Sequence, residues 1–237
     1  MFTKQESDKF WEVIKWIWDK GPDGLSPQAA DGFKSKFISS AQKKLTPIEK
    51  DKILFRVRAD VNAKKTDTPF LIKMTPFSFE ETAPLGRSQG RANRPGERHW
   101  YLASDMETAV IEARALPKTD ITITQYQVKE NLMLINLVSI PDEFFPNAEN
   151  LEGWIWTVIK ALYQTPSSDE VKKNIYNTCN YIAGLFKEAG FLGIAWKSFW
   201  TEGESLVLFE EQSALHRIKT STGYFKSLSA NINLSMS

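Results

Sequence analysis

The chain has 237 residues, with 30 Lys and Arg against 29 Asp and Glu and a net charge of +1 at pH 7. This balance argues against a protein that binds polyanions through bulk electrostatics, so direct nucleic-acid binding is not expected. Its single cysteine, Cys179, excludes an intramolecular disulfide. No apolar run reads as a signal peptide or approaches the roughly 20 residues that a membrane-spanning helix needs. Together with 42% hydrophobic residues, this predicts a cytoplasmic globular protein that does not engage a membrane.

The N-terminal 50 residues predict an added helical element. Apolar residues at helical spacing, three of them tryptophan, predict a helix over residues 7–20 that ends at Gly21-Pro22. Ser26-Pro27 starts a second helix. We expect both helices to pack on the body of the protein. A partner surface or a membrane-surface helix is the alternative for the tryptophan-rich face.

The middle of the chain predicts a strand, a long loop and a hairpin. Residues 53–58 form the strand, and the proline-containing segment 59–89 is interpreted as a flap beside a ligand pocket. Residues 121–128 and 132–138 predict two strands joined as a hairpin. Helices are predicted over residues 151–163 and 168–189, and the polar stretch from Ser221 is expected to fray.

Residues 90–114 read GRANRPGERHWYLASDMETAVIEAR and predict a loop, a tight turn, a short strand and a helix. Pro95 presets φ, and Gly96 supplies the positive φ that a type II turn needs. Asp105 can cap the helix that follows. This order brings a glycine-led loop and a helix into one compact unit.

Two charged residues of this unit are candidate site residues. Arg91 follows a glycine, so its guanidinium can fork onto a phosphate where the backbone approaches a ligand closely. Glu112 lies at the edge of the apolar stripe of the helix and can be partly desolvated. The alternative is a surface arginine and a solvated helix glutamate.

A third candidate is Ser198. Leu192, Ile194, Trp196 and Ser198 share one face of a predicted strand by the period of two. The hydroxyl therefore either satisfies a local backbone group or faces a pocket. No His-Asp pair is evident beside it, so a serine nucleophile is not expected. The only histidines, His99 and His216, have no metal-ligand spacing, so no metal is expected.

These segments together resemble the RES domain, a family named for its conserved arginine, glutamate and serine. The resemblance rests on GRAN-x-PG from Gly90, on Tyr101-Leu102-Ala103, and on Thr108-Ala109 with Glu112. The segment from Gly193 to Ser198 is similar to the one that carries the family serine. Phe55-Arg56-Val57-Arg58 is similar to its opening strand. One departure is Ser205, where members usually have Asn.

The resemblance implies an α+β fold. We expect an ADP-ribosyltransferase-like, twisted and mostly antiparallel β core with flanking helices and the added N-terminal helical element. The expected boundaries are 1–50 for that element, 51–220 for the RES domain and 221–237 for a polar tail.

The resemblance also implies NAD as the substrate and cleavage of its nicotinamide–ribose bond. Glu112 would stabilise the oxocarbenium-like ribose, and Arg91 would hold the pyrophosphate. Tyr101 would contact the nicotinamide riboside end, and Ser198 would position the ribose or nicotinamide. Further NAD contacts are expected from Arg56, which is alternatively an outward-facing strand arginine, and from Asn93.

We therefore expect an NAD glycohydrolase, of the type that acts as an NAD-depleting toxin. The same pocket could instead transfer ADP-ribose to a macromolecule or use phosphate in place of water. In a different class, the chain could bind a nucleotide without turnover. The family also implies a protein antitoxin with a helix-turn-helix domain, and a homo-oligomer stays open.

Overall fold

The computed structural model describes residues 2–21, 27–59, 89–97, 99–114, 119–141, 150–166, 169–210 and 214–225. The helices in these ranges are α1 (Lys4–Lys20), α2 (Pro27–Gln42), α3 (Met106–Glu112), α4 (Leu151–Gln164) and α5 (Asp169–Glu188). The strands are β1 (Leu45–Ile48), β2 (Ile53–Ala59), β3 (Trp100–Ala103), β4 (Thr119–Val128), β5 (Leu132–Asn136), β6 (Gly193–Lys197), β7 (Glu204–Leu208) and β8 (Leu215–Phe225).

The described strands form one sheet in the order β1-β5-β6-β7-β3-β2-β4-β8. Only β5 and β6 run parallel, and the other neighbouring pairs in this sheet are antiparallel. The predicted α+β class with a mostly antiparallel core is confirmed.

The sheet separates two hydrophobic cores. On one face, Ile194, Trp196 and Val207 pack against the helices. On the other face, side chains from β1 to β7 pack against one another. This second cluster includes Ile48 of β1 and Val128 of β4, although these strands stand far apart in the sheet order. The sheet therefore curls around its own interior.

The N-terminal helices belong to the first core, which confirms that they pack on the body. A capping box between Thr3 and Glu6 starts α1. Trp11 packs against Trp154 of α4, with ring centroids 4.3 Å apart. Trp16 points outward and is 38% exposed. β1 lies before the expected boundary at residue 50, yet it pairs with β5, so the N-terminal segment also contributes to the sheet.

The predicted hairpin between β4 and β5 is wrong. β2 occupies one edge of β4 and β8 occupies the other, so no edge of β4 is left for β5. The chain leaving β4 is held on both sides, because the Val128 N–H donates to Lys52 O at 2.9 Å and the Lys129 N–H donates to Ala214 O at 2.7 Å. β5 instead inserts between β1 and β6.

Two expectations concern segments at the limits of the described ranges. The flap interpretation of 59–89 falls almost wholly on residues 60–88, outside them. Residues 221–225, expected to begin a fraying tail, form the end of β8, and 226–237 lie outside the described part. No helix within the described part is long and apolar enough to cross a membrane.

Phe37 tests whether the N-terminal helices are part of the core. Its ring is fully buried and stacks on Trp156 at 5.5 Å and on Phe186 at 5.4 Å. Phe37→Ala should therefore lower the free energy of unfolding by about 3–5 kcal/mol in a urea titration, through lost burial and a residual cavity. Trp16→Ala, on the exposed side of α1, is the control and should change it little. An unchanged midpoint for Phe37→Ala would mean that these helices are an appendage.

Candidate active site

A cavity of about 710 Å³ opens where the sheet meets α3, α5 and the loop at 89–91. Its apolar walls include Phe55 and Val57 of β2, Ile111 of α3 and Trp196 of β6. A volume in this range suits a ligand of cofactor size.

The charged side chains among the described lining residues are Arg91, Arg114, Lys172 and Glu112. Three cations and one carboxylate make this cavity more positive than the chain as a whole, whose net charge is +1. Such a site favours an anionic ligand that also presents one group to a carboxylate.

Glu112 lines this cavity, and Ser198, which does not line it, contacts Glu112 from behind. The Ser198 hydroxyl donates to Glu112 Oε1 at 2.7 Å, and the Trp200 N–H donates to the Ser198 hydroxyl at 3.2 Å. Glu112 is the last residue of α3 and is exposed, whereas Ser198 follows β6 and is only 5% exposed. The hydroxyl thus fixes one carboxylate oxygen, and the other has no hydrogen bond to any residue in the described ranges.

A polar network aligns the two elements that carry this pair. Asp105 caps α3 by accepting from the Thr108 N–H and hydroxyl, both at 2.8 Å, as predicted for the cap. Thr108 Oγ1 lies 2.7 Å from Thr201 Oγ1 in the loop after Ser198. Burial alone would raise the pKa of Asp105, but hydrogen bonds from Thr108 and Ser104 lower it. The carboxylate therefore stays charged and orients the Thr108 hydroxyl, which contacts the loop.

Hydrogen bonds from the backbone also hold the loop after Ser198 in place. The Ser198 N–H donates to Gly203 O at 2.9 Å, and the Glu204 N–H donates to Ser104 Oγ at 2.8 Å. A Cβ at Gly203 would collide with Asp105 Oδ2 and Thr108 Oγ1. Any larger residue at this point would have to displace the hydrogen-bonded side chains of Asp105 and Thr108.

Arg91 lines the cavity, but part of its guanidinium is occupied. It donates to Leu162 O at 2.5 Å and to Thr165 O, two carbonyls at the C-terminus of α4. Helix C-termini carry unsatisfied carbonyls and partial negative charge, so this contact stabilises α4. The two guanidinium nitrogens that were expected to bind a phosphate therefore donate to the end of α4 instead. A guanidinium has five N–H groups, so donors remain for a ligand.

Tyr101 and Asn93 form an internal clamp for the loop at 90–93. The Tyr101 hydroxyl donates to Asn93 Oδ1 at 2.8 Å and accepts from the Ala92 N–H at 2.9 Å. Burial raises the pKa of Tyr101 well above its usual range, so the hydroxyl remains a donor. A Cβ at Gly90 would collide with the Tyr101 hydroxyl and Asn93. The first glycine of the motif is thus fixed by close packing.

Helix α5 anchors the other side of this loop. Asn180 Nδ2 donates to Gly90 O at 2.8 Å, and Gln89 Nε2 donates to Asn177 Oδ1 at 3.1 Å. The turn that follows is the predicted one, because Gly96 has φ 91° and the Glu97 N–H donates to Arg94 O at 3.1 Å.

Three of the expected NAD contacts, Arg56, Asn93 and Ser198, are not among the residues that line the cavity. Phe55 and Val57 face the cavity, and Arg56 between them does not line it but donates to Tyr101 O at 3.3 Å. Asn93 is 7% exposed and is also not a lining residue. Direct ligand contact by Arg56 or Asn93 thus stays a prediction that this arrangement does not favour. Ser205, which replaces the usual Asn, does line the cavity.

Two cavity residues carried no recognised signal in the sequence. Lys172 of α5 lies with Nζ 5.8 Å from the ring centre of Tyr176, and Arg91 Cζ lies 5.7 Å from the same ring. Trp200 also lines the cavity. Nothing in the sequence distinguishes Lys172 from Lys173. Trp200 could have been proposed as a site residue, because the aromatic pair Phe199-Trp200 directly follows the candidate Ser198.

The buried thiol of Cys179 lies near Arg91. Burial raises the pKa of the Cys179 thiol to about 12, and Arg91 beside it offsets this only partly. The thiol is therefore neutral near pH 7 and a poor nucleophile. In the ranges that the structure describes, no group of three or more His, Cys, Asp and Glu could hold a metal ion.

The Tyr101 clamp makes a prediction about stability. Tyr101→Phe removes the hydroxyl and leaves the buried Ala92 N–H without its partner. We expect the free energy of unfolding to fall by about 1–3 kcal/mol in a urea titration. Tyr181→Phe is a matched control, because the Tyr181 hydroxyl has no hydrogen-bond partner among the described residues. Equal effects of the two substitutions would contradict the clamp.

Comparisons with known proteins found a family profile and a solved structure that are similar to this chain. A sequence profile described as "RES domain" matches residues 53–227. No match was found among curated proteins. A chain of the solved M. tuberculosis MbcT–MbcA toxin–antitoxin complex is similar with 14% identity and a TM-score of 0.47, over 79% of this chain and 91% of that one. These values are too low to bear on activity. The profile match spans most of the sequence, and this protein therefore belongs to the RES domain family.

Proposed function

We propose that this protein is an NAD glycohydrolase that cleaves the bond between nicotinamide and ribose. The observation that carries the proposal is the hydrogen bond from Ser198 to Glu112 at a cavity that also contains Arg91 and Lys172. NAD offers a diphosphate for the cations and a cationic glycosyl centre for the carboxylate. Membership of the RES family, which is linked to NAD breakdown, adds support.

The reaction requires that the positive charge that develops at the ribose carbon be stabilised. As the C1′–N bond breaks, its electron pair leaves with nicotinamide, whose ring becomes neutral, and the ribose becomes oxocarbenium-like. A carboxylate beside this carbon stabilises the transition state, as in glycoside hydrolysis. Water then adds to C1′ and gives up a proton, for which Glu112 is the nearby base. The products are ADP-ribose and nicotinamide.

Ser198 acts through Glu112 in this scheme. Its hydroxyl holds one carboxylate oxygen at 2.7 Å, and its own position is fixed by the Trp200 N–H. Holding the carboxylate in one orientation before the substrate arrives avoids reorganisation during the reaction. Ser198 is thus a positioning residue, and it need not touch the ribose.

The diphosphate is assigned to Arg91 and Lys172. Both cations lie near the ring of Tyr176, so they form one positive region of the cavity wall. Since the Arg91 fork already holds the end of α4, Lys172 supplies a charge with no ion pair to another described residue. Two cations at one site suit a group with two negative charges.

Glu112→Gln is the main test of the chemistry. The substitution keeps the shape but removes the charge, so kcat for nicotinamide release from NAD should fall at least about a hundredfold while KM changes little. Glu107→Gln, at an exposed position on the same helix, is the matched control and should retain activity. Chromatography of the products separates hydrolysis, which gives ADP-ribose, from phosphorolysis or transfer. Full activity of Glu112→Gln would contradict the mechanism, and NAD binding by the wild type without nicotinamide release would indicate a non-catalytic binder.

Lys172→Gln tests the assignment of the diphosphate. Loss of one phosphate-facing charge should raise KM for NAD about tenfold, with a smaller effect on kcat, and should weaken the dependence of KM on salt. Lys173→Gln is the control, since Lys173 is exposed and does not line the cavity. If both variants behave alike, Lys172 does not bind the diphosphate.

The biological role that we propose is that of a toxin neutralised by a protein antitoxin with a helix-turn-helix domain, on the basis of the family resemblance. Induction of the wild type in bacteria should then lower cellular NAD and arrest growth, and induction of Glu112→Gln should do neither. Growth arrest by both forms would separate toxicity from NAD cleavage.

A further inference from the structure

The loop after Ser198 presents two aromatic rings to solvent. Phe199 is 56% exposed and Trp200 is 62% exposed, the highest values among the large hydrophobic side chains that the structure describes. The two rings pack edge to face, with centroids 4.9 Å apart and an interplanar angle of 84°. A large aromatic surface left in water is unusual unless something covers it when the protein works.

Trp200 differs from Phe199 in its position. Trp200 lines the cavity, and Phe199 does not. Its backbone N–H donates to the Ser198 hydroxyl, which in turn donates to Glu112. The indole is therefore two residues from the serine and borders the same space as the carboxylate.

The backbone on both sides of Trp200 is held in place. Before it, the Ser198 N–H donates to Gly203 O at 2.9 Å. After it, Thr201 Oγ1 lies 2.7 Å from Thr108 Oγ1 and accepts from the Gly203 N–H at 3.3 Å. The backbone that carries the ring is therefore fixed, so little backbone entropy is lost when a ligand stacks on the ring.

We infer that Trp200 is the platform on which the nicotinamide ring of the substrate stacks. This inference rests on the proposed function. A ring attached to a ribose carbon beside Glu112 would lie close to that carboxylate. The Trp200 N–H donates to the same Ser198 hydroxyl that donates to Glu112, and Trp200 is the most exposed aromatic residue among the described residues that line the cavity. The nicotinamide ring of NAD is flat and cationic, and tryptophan has the most favourable aromatic face for a cation.

The alternative platform, Tyr101, is less suited. Its hydroxyl is used twice in the clamp of the 90–93 loop, to Asn93 and from the Ala92 N–H. Its ring packs against the first core, whereas Trp200 is mostly exposed. Tyr101 supports the loop of the site, and Trp200 takes the ring.

The test compares two ligands that differ in the nicotinamide ring. Calorimetric Kd values for NAD and for ADP-ribose are measured in a Glu112→Gln background, in which NAD persists, with and without Trp200→Ala. Trp200→Ala should raise the Kd for NAD about tenfold and should change the Kd for ADP-ribose by no more than about twofold. Trp200→Phe should give an intermediate value. Trp16→Ala, which removes an exposed tryptophan on α1, is the control and should change neither Kd.

The outcomes are separable. A selective loss of NAD affinity supports the inference. Unchanged affinity for both ligands, as expected if Trp200 serves a protein partner instead, overturns it while the proposed function stands. Equal weakening of both ligands also overturns it, because the contact would then lie on the ADP-ribose part. Absence of NAD binding by the wild type and by the Glu112→Gln background overturns the proposed function and this inference with it.

Discussion

The hydrogen bond between Ser198 and Glu112 is the contact on which the arrangement of this site depends. It joins the end of β6 to the end of α3 at 2.7 Å, two elements that are 86 residues apart in sequence. A hydrogen bond to a charged group typically contributes about 1.5–3 kcal/mol. The contact is maintained because Asp105, Thr108 and Thr201 fasten the start of α3 to the loop that leaves β6. The carboxylate is thus oriented by the fold before any ligand arrives.

On the side of the site that carries Arg91, hydrogen bonds hold a loop and the end of a helix in place. The loop at 90–93 is held from within by the Tyr101 hydroxyl and from outside by α5. Arg91 projects from this loop and satisfies carbonyls at the end of α4. The same guanidinium therefore stabilises the scaffold and charges the cavity. Substitutions of Arg91 mix these two effects, which is why Lys172 reports on ligand binding more cleanly.

Local signals in the sequence were sufficient to predict the turn and the helix cap beside the site. The positive φ at Gly96 and the cap at Asp105 follow from residue type, and both are present. The proximity of Glu112 and Ser198 came from family resemblance, because no local rule relates residues so far apart. The predicted pairing of β4 with β5 was wrong, since a short connection predicts a hairpin only if an edge of the strand is free.

The rest of the site could not be predicted because it depends on tertiary packing. Lys172 and Lys173 are adjacent and chemically equal, and only the packing of α5 decides which one borders the cavity. Likewise, the sequence does not show that the Arg91 fork meets the end of α4, because that contact joins segments 71 residues apart. Long-range packing decides which members of a motif face a ligand and which hold the scaffold.

A double-mutant cycle on nicotinamide release tests most directly whether Ser198 acts by orienting Glu112. The kcat values of Ser198→Ala, Glu112→Gln and the double variant are compared with the wild type. If the serine acts by orienting the carboxylate, the double variant will be about as slow as Glu112→Gln alone. If the two losses multiply, Ser198 contributes independently of Glu112, and its role as a positioning residue is contradicted.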